Sequence, residues 1–238
     1  MSNELIFLIQ TIIGLAFTLV AFKMGKAWLC SYIAVCIVLA NIFVTKQITL
    51  LGIAATGGNV VYGAVFLSTD LLAEHYGKAE AKRAVYLGLS AALFYTVMSQ
   101  LALLYEASNA DWGAAAGMAS IFTSAPSIII ASLMAYLLSQ FHDIWAFQWI
   151  RGKTGRRLLW LRNNGSTWVS QAIDSVVFSS LAFMIFPVIF GSENSLSFTV
   201  VVEIVISTYF LKVFVAAIDT PFIYFSYYLR SPEAAPSV

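Results

Sequence analysis

Several polar side chains stand inside long apolar runs of this sequence, and they are the residues whose chemistry needs a reason. A polar group in hydrocarbon is costly unless it is paired or serves a ligand. Sorted by depth at about 1.5 Å of rise per helical residue, they fall into two layers. Toward the outer face, as fixed by charge below, lie Asn41, Asn59, Gln100, Ser124 and Glu203, from five different apolar runs. Amides and a carboxylate at one depth could hold a small polar molecule; scattered hydrogen bonding between helices would use the same residue types. Glu203 is expected to anchor such a pocket, because no basic residue shares its depth. Toward the cytoplasmic face lie Asp70, Asn164, Thr167, Gln171, Asp174, Lys212 and Asp219. Asn164, Thr167, Gln171, Asp174 and Phe178 recur at steps of three and four, which makes one polar stripe on a helix. Asp174 and Lys212 come at comparable depth on consecutive helices, so an ion pair is the economical solution. Asp70, Gln171, Asp174, Lys212 and Asp219 are expected to gate the bundle or to clip it together.

Catalytic motifs are absent. The chain has no HExxH, no CxxC, no phosphate-cradling glycine loop with a lysine and no GxSxG, so it reads as no enzyme and calls for no cofactor. His75 and His142 fall at the ends of apolar runs and are expected to be titrating surface groups rather than metal ligands. Cys30 and Cys36 are six apart in one run, too far to bond to each other, and read as small packing residues.

The elements that must position these groups are membrane helices. With 60% of its 238 residues hydrophobic and 11% charged, the chain holds more apolar surface than a soluble core can hide. A net charge of +1 gives no case for a nucleic-acid partner. Seven runs are long enough to span: Leu5 to Phe22, Ala27 to Val44, Ile48 to Ala73, Ala84 to Tyr105, Ala114 to Gln140, Ser166 to Phe190 and Leu196 to Tyr224. The third is interrupted by Gly52, Gly57 and Gly58, which suits a broken or re-entrant start. The first begins with Asn3 and Glu4 rather than a basic stretch, and reads as a retained span.

Eleven of the thirteen lysines and arginines then fall on one side of a seven-span arrangement, with Lys46 on the other and Lys212 inside a span. The positive-inside rule places the N-terminus outside and the C-terminus in the cytoplasm. The stretch from His142 to Arg162 carries Trp145, Trp149 and Trp160 among five basic residues, the pattern of a loop helix lying in the headgroup layer. Gly113, Gly117, Ser120 and Ser124 form a small-residue stripe that predicts close helix packing.

Two long blocks carry a resemblance. Phe66-Leu67-Ser68-Thr69-Asp70-Leu71-Leu72-Ala73-Glu74-His75-Tyr76-Gly77, with Ala81-Lys82-Arg83, resembles the signature of the queuosine precursor transporters, a vitamin-uptake family. His142-Asp143 and Leu159-Trp160-Leu161-Arg162-Asn163-Asn164, running through Ser166-Thr167 and Ser170-Gln171 to Asp174, is similar to its other long stretch. Lys212 with Asp219-Thr220-Pro221 resembles its last helix. The resemblance covers Ala40 to Tyr224. It implies uptake of 7-cyano-7-deazaguanine or 7-aminomethyl-7-deazaguanine across a bacterial-type inner membrane, for making the modified tRNA base queuosine. It also implies a fold: a six-helix core over 27–228 like the substrate-binding subunits of energy-coupling-factor transporters, preceded by an extra helix over 1–26 and followed by a tail over 229–238. Those subunits dock to an ATP-driven module through an Ala-rich motif, of which the second run has no clear version. A homodimer and an energy-coupling module both stay open as partners.

A deazaguanine presents two adjacent donors, which a carboxylate accepts in bidentate fashion, and a carbonyl that suits an amide. Glu203 with Asn41 or Asn59 could supply these, with Gln100 alongside and Tyr62 or Phe94 stacking on the ring. The alternatives are a transporter subunit for another vitamin or nucleobase, and a membrane scaffold that transports nothing.

Overall fold

Apolar runs bounded by glycine and polar residues fold into helices whose ends can be explained one by one. The structure, a computed structural model, describes residues 1–123, 126–155, 157–189 and 195–229. Helix α1 (Asn3–Met24) is capped by Ser2, whose hydroxyl accepts the Leu5 N–H at 3.4 Å. It ends at Gly25, whose φ of +114° is open to glycine at little cost, and α2 (Lys26–Phe43) starts at the next residue. A one-residue joint of this kind folds α2 back against α1.

The third predicted span is two elements. Its first part is an antiparallel hairpin of β1 (Gln47–Leu50) and β2 (Ile53–Thr56), with Gln47 opposite Thr56 and Leu50 opposite Ile53. Leu51 and Gly52 make the turn with φ of +52° and +79°, the two positive values that a tight two-residue hairpin turn requires. The hairpin is tied to the start of α1, where Glu4 Oε1 accepts the Leu51 N–H at 3.1 Å and Asn3 Nδ2 donates to the Thr49 carbonyl at 3.1 Å. Helix α3 (Gly58–His75) follows, and every residue in it except Tyr62 and His75 is buried. It is the central helix, packed on by α1, α2 and the later helices α4 (Lys78–Ala102), α6 (Pro126–Thr154) and α9 (Phe198–Phe225). Such all-round burial requires small residues. At Gly63 even a single added carbon would collide with Val215 of α9.

The fifth predicted span is also broken. Helix α5 (Ala114–Phe122) ends before Pro126, and α6 starts there. Proline cannot donate inside a helix and disfavours helical backbone in the residue before it, so the run is interrupted where the chain carries Pro126. None of the residues of α5 is buried, and nothing lies within 4 Å of a carbon added at Gly113 or Gly117, so the described part of the small-residue stripe does not pack closely against the rest of the chain. Ser124 lies outside the described residues.

The expected headgroup-layer loop is corrected most. Helix α6 runs straight on to Thr154, and α7 (Leu159–Ser180) begins five residues later. His142, Trp145 and Trp149 therefore belong to a long spanning helix, and Trp160 to the first turn of the next. Trp145 and Trp149 stack on each other at 6.3 Å between ring centres. Helix α7 passes through one wide π turn (Leu181–Ile185) into α8 (Phe186–Ile189). Pro187 accounts for the irregularity: lacking an N–H, it cannot use the carbonyl of Phe183 four residues back, and the N–H of Leu196 takes that carbonyl at 2.9 Å.

Among the described residues, six helices are long and apolar enough to cross a membrane: α1, α2, α4, α6, α7 with its continuation, and α9. The architecture is an all-α bundle with one small hairpin at one end. Large apolar side chains such as Phe17, Val35, Val97, Leu138 and Phe210 point outward, as lipid-facing positions do. Cys30 and Cys36 are buried and unbonded.

Candidate cargo cavity

The hairpin end of the bundle encloses a cavity of about 560 Å³, within the usual range for small-molecule sites. Helices α2, α3 and α4 bring their hairpin-side ends to it, so Asn41, Asn59 and Gln100 all line it. Asn41 donates its amide to Ile37 O at 2.8 Å, as a side chain inside its own helix does, while Asn59 is nearly fully buried. The Gln100 amide donates to Phe122 O at 2.8 Å and so holds the end of α5 over the cavity. Tyr62, Tyr95, Phe178 and Phe183 supply aromatic walls, with the Phe178 and Phe183 rings edge to face at 5.8 Å.

Deeper in the same cavity are Asp174 and Lys212, each below a tenth exposed. Lys212 Nζ donates to Asp174 Oδ2, Ser139 Oγ donates to Asp174 Oδ1 at 3.3 Å, and the ammonium sits 5.6 Å from the centre of the Tyr62 ring. The pair forms the polar floor of the cavity. Depth measured from Ser166 puts the pair in the cytoplasmic layer, but the helix that carries Asp174 starts seven residues earlier, at Leu159.

Two expected residues stand elsewhere. Glu203 is exposed on α9, and the residues of that helix that face the cavity are Ile204, Ser207, Thr208 and Lys212. Phe94 is 68% exposed on the outer face of α4, and its neighbour Tyr95 faces the cavity instead. Both placements have one cause. Depth along a helix can be counted from sequence, but in a helix apolar all round the facing side cannot, because one residue turns the side chain by about 100°.

Below the floor, Asn164, Thr167 and Gln171 of the α7 stripe are all buried. Thr167 Oγ1 donates to Asp70 Oδ2 at 3.4 Å, and Asn163 Nδ2 donates to Asp219 Oδ1 at 2.7 Å. Ser170 Oγ donates to Asp143 Oδ1 at 3.2 Å, and Gln171 is buried one residue on.

The far end is closed by a network that was not legible in the sequence. Arg162 is fully buried and grips Glu74 with two parallel bonds, Nη2 to Oε1 at 2.6 Å and Nε to Oε2 at 3.0 Å. The Tyr227 hydroxyl donates to the same carboxylate. Arg151 Nη1 donates to the carbonyls of Ala73 at 3.2 Å and Glu74 at 2.9 Å, which are among the last free carbonyls of α3. By its charge alone Arg162 reads as a loop cation. The run of amides and hydroxyls directly after it is the signal that the helix had already begun. Both histidines are partly exposed and hydrogen-bonded: His75 Nε2 to Ser226 Oγ at 2.8 Å, with its ring 4.6 Å from that of Phe22, and His142 Nδ1 to Ser170 Oγ at 2.9 Å.

The family described as "Putative vitamin uptake transporter" matches residues 56–226. The chain is 39% identical over 94% of its length, and 94% of the relative's, to a protein of Bacillus subtilis (strain 168) named "Probable queuosine precursor transporter". It is 29% identical, over 80% of each chain, to the "Queuosine precursor transporter" of Escherichia coli (strain K12). No solved structure matches. With a matched region that holds α3, the floor pair and the Glu74–Arg162 lock, this multi-pass helical membrane protein belongs to the vitamin uptake family of queuosine precursor transporters.

Proposed function

We propose that this protein imports a queuosine precursor, 7-cyano-7-deazaguanine or 7-aminomethyl-7-deazaguanine, and that the cavity at the hairpin end is where the cargo binds. The observation that carries this is the cavity lining: amides, aromatic rings and a carboxylate come together in one enclosed space, and these are the groups that a flat purine-like ring with adjacent donors and a carbonyl needs. Asp174 takes the role first given to Glu203, accepting the ring N–H and the exocyclic amine, while the Lys212 ammonium holds the carboxylate in place. Asn41, Asn59 and Gln100 address the ring carbonyl and the substituent. Tyr62, Tyr95 and Phe178 are placed to stack on the faces of the ring.

In this arrangement α3 is the seventh spanning element, surrounded by the six apolar helices. The basic joints then share one end. Lys26 at the α1–α2 joint lies 3.7 Å from Glu80 near the start of α4, and Arg151 of α6 reaches the end of α3. By the positive-inside rule that end is cytoplasmic, and the hairpin and N-terminus lie outside a bacterial-type inner membrane. Residues 1–26 add one helix to a core over 27–228, and 229–238 form a tail. The activity is transport rather than catalysis.

The test is uptake of labelled 7-cyano-7-deazaguanine into cells unable to synthesise or import it. Expression of this protein is expected to bring label into the cells and to restore queuosine in their tRNA. Unchanged label with the protein present in the membrane would contradict the assignment.

A further inference from the structure

Beneath the cavity floor the bundle buries three carboxylates with no basic side chain among them. Asp70 of α3, Asp143 of α6 and Asp219 of α9 are each 1% exposed or less. Asp70 and Asp143 face each other at hydrogen-bonding range, with Asp219 adjacent. Their described partners are Thr167, Ser170 and Asn163, all neutral. The charged groups on the surrounding helices are committed elsewhere: Lys212 to Asp174 above, Arg162 and Arg151 to Glu74 below. The histidines at this level, His75 and His142, are bonded to Ser226 and Ser170. Three negative charges cannot share a low-dielectric site without a compensating positive charge.

A second observation points to what compensates them. Asp70 Oδ1, Asp143 Oδ2, Asp219 Oδ2, Asn163 Oδ1 and Gln171 Oε1 are buried with no hydrogen-bond partner, and both amide atoms of the fully buried Gln140 are likewise unmatched. The unmatched atoms around the carboxylates are almost all acceptors. What this part of the bundle lacks is donors. Among the described residues no trio of carboxylates, histidines or cysteines converges as metal ligands do. Gln140 lies one turn before Asp143 on α6, and Gln171 lies one turn beyond Thr167 on α7, so both stand between the carboxylates and the cavity floor.

We propose that Asp70, Asp143 and Asp219 form a proton-binding site whose occupancy is coupled to cargo, making the protein a proton-driven importer. A proton bound on the facing oxygens of Asp70 and Asp143 converts an acceptor pair into a donor and an acceptor and removes a charge. It enters from the cavity side past Gln171 and Gln140 and leaves at the opposite end with the cargo. Coupling follows from shared helices. Ser139 and Asp143 are one turn apart on α6, and their partners Asp174 and Ser170 are one turn apart on α7. The cargo's acceptor and the proton site are therefore only about 6 Å apart along the same two helices. Cargo that draws on Asp174 disturbs the pair of helices that holds Asp143.

Coupling to transport rests on the cargo assignment above; the proton site itself does not. Infrared spectra of the purified protein without cargo, at neutral pH, are expected to show the carbonyl stretch of a protonated buried carboxyl, diminished in Asp143→Asn and Asp70→Asn. In proteoliposomes, an acid-outside gradient is expected to drive wild-type accumulation of labelled 7-cyano-7-deazaguanine. The same two variants should lose accumulation but keep exchange of labelled for unlabelled cargo. No protonated carboxyl in the wild type, or accumulation that follows a sodium gradient and ignores pH, would overturn the proposal. Both of those wild-type readings stand even if a variant fails to fold. Vesicles that take up no deazaguanine under any gradient would sink the cargo assignment, and the infrared result would still decide the proton site.

Discussion

Lys212→Met is expected to leave Asp174 as an unmatched charge at the cavity floor and to lower stability by about 3–5 kcal/mol, the usual cost of breaking a buried ion pair from one side. Asp174→Asn should do comparable damage from the other side by stranding the ammonium. The Tyr62 ring offers Lys212 a face, worth only about 0.5–2 kcal/mol, too little to replace the carboxylate. Removing both charges together should recover much of the loss, because two neutral groups of similar size need no counter-charge. Thermal unfolding in detergent of the two single variants and the double variant measures this directly. Strictly additive losses would show that the two residues do not act as a pair. The double variant also separates structure from function. It should reach the membrane in normal amounts yet transport poorly, since the carboxylate that faces the cargo is gone.

The second large effect belongs to Arg162. Its guanidinium is wholly buried and held to Glu74 by two short bonds, so Arg162→Met should cost about 3–5 kcal/mol by leaving Glu74 uncompensated. Arg151 lies 3.7 Å from the same carboxylate and will offset part of that loss. Arg162→Lys should be nearly as damaging, because an ammonium cannot reproduce the two parallel bonds. Glu74→Gln with Arg162→Met should be milder than either alone. Since this network joins α3, α6, α7 and the turn after α9, its loss should loosen the far end first. Hydrogen exchange is expected to rise around Ala73, Gly155 and Tyr227 before it rises around the cavity. Uniform exchange across the bundle would contradict a local lock at this end.

How much of this could be seen in the sequence depended on the kind of information a residue carries. Charge and length are one-dimensional, so the apolar helices, the common end of the basic joints and the matched depth of Asn41, Asn59 and Gln100 were all legible. The break near Gly52 and Gly57 was visible as a conflict between glycine and a helical run, but not that the conflict resolves into a hairpin, which depends on Glu4 and Asn3 reaching across from α1. Azimuth was not legible from depth alone. Glu203 and Phe94 sit at sensible depths but face away from the cavity, and the polar positions that face it, such as Thr96 and Ser99 on α4 and Ser207 and Thr208 on α9, are the mark of the inner side. Arg162 differs: its charge alone implies exposure, and only its partner Glu74, 88 residues earlier, offsets the cost of its burial. In a bilayer, the apolar residue is the one that faces the solvent, so polarity that marks a surface in water marks the interior here.

Direct binding is the measurement closest to the assignment of the cavity over the Asp174–Lys212 pair as the cargo site. Calorimetric titration of the purified protein with 7-cyano-7-deazaguanine is expected to show one saturable site. Asn59→Ala and Gln100→Ala should each weaken it by about 1–3 kcal/mol, the cost of leaving one polar group of a buried ligand unmatched, while the outward-facing Phe94→Ala and Glu203→Gln leave it unchanged. Binding that survives both cavity substitutions but is lost on Glu203→Gln would place the cargo outside this cavity and contradict the account.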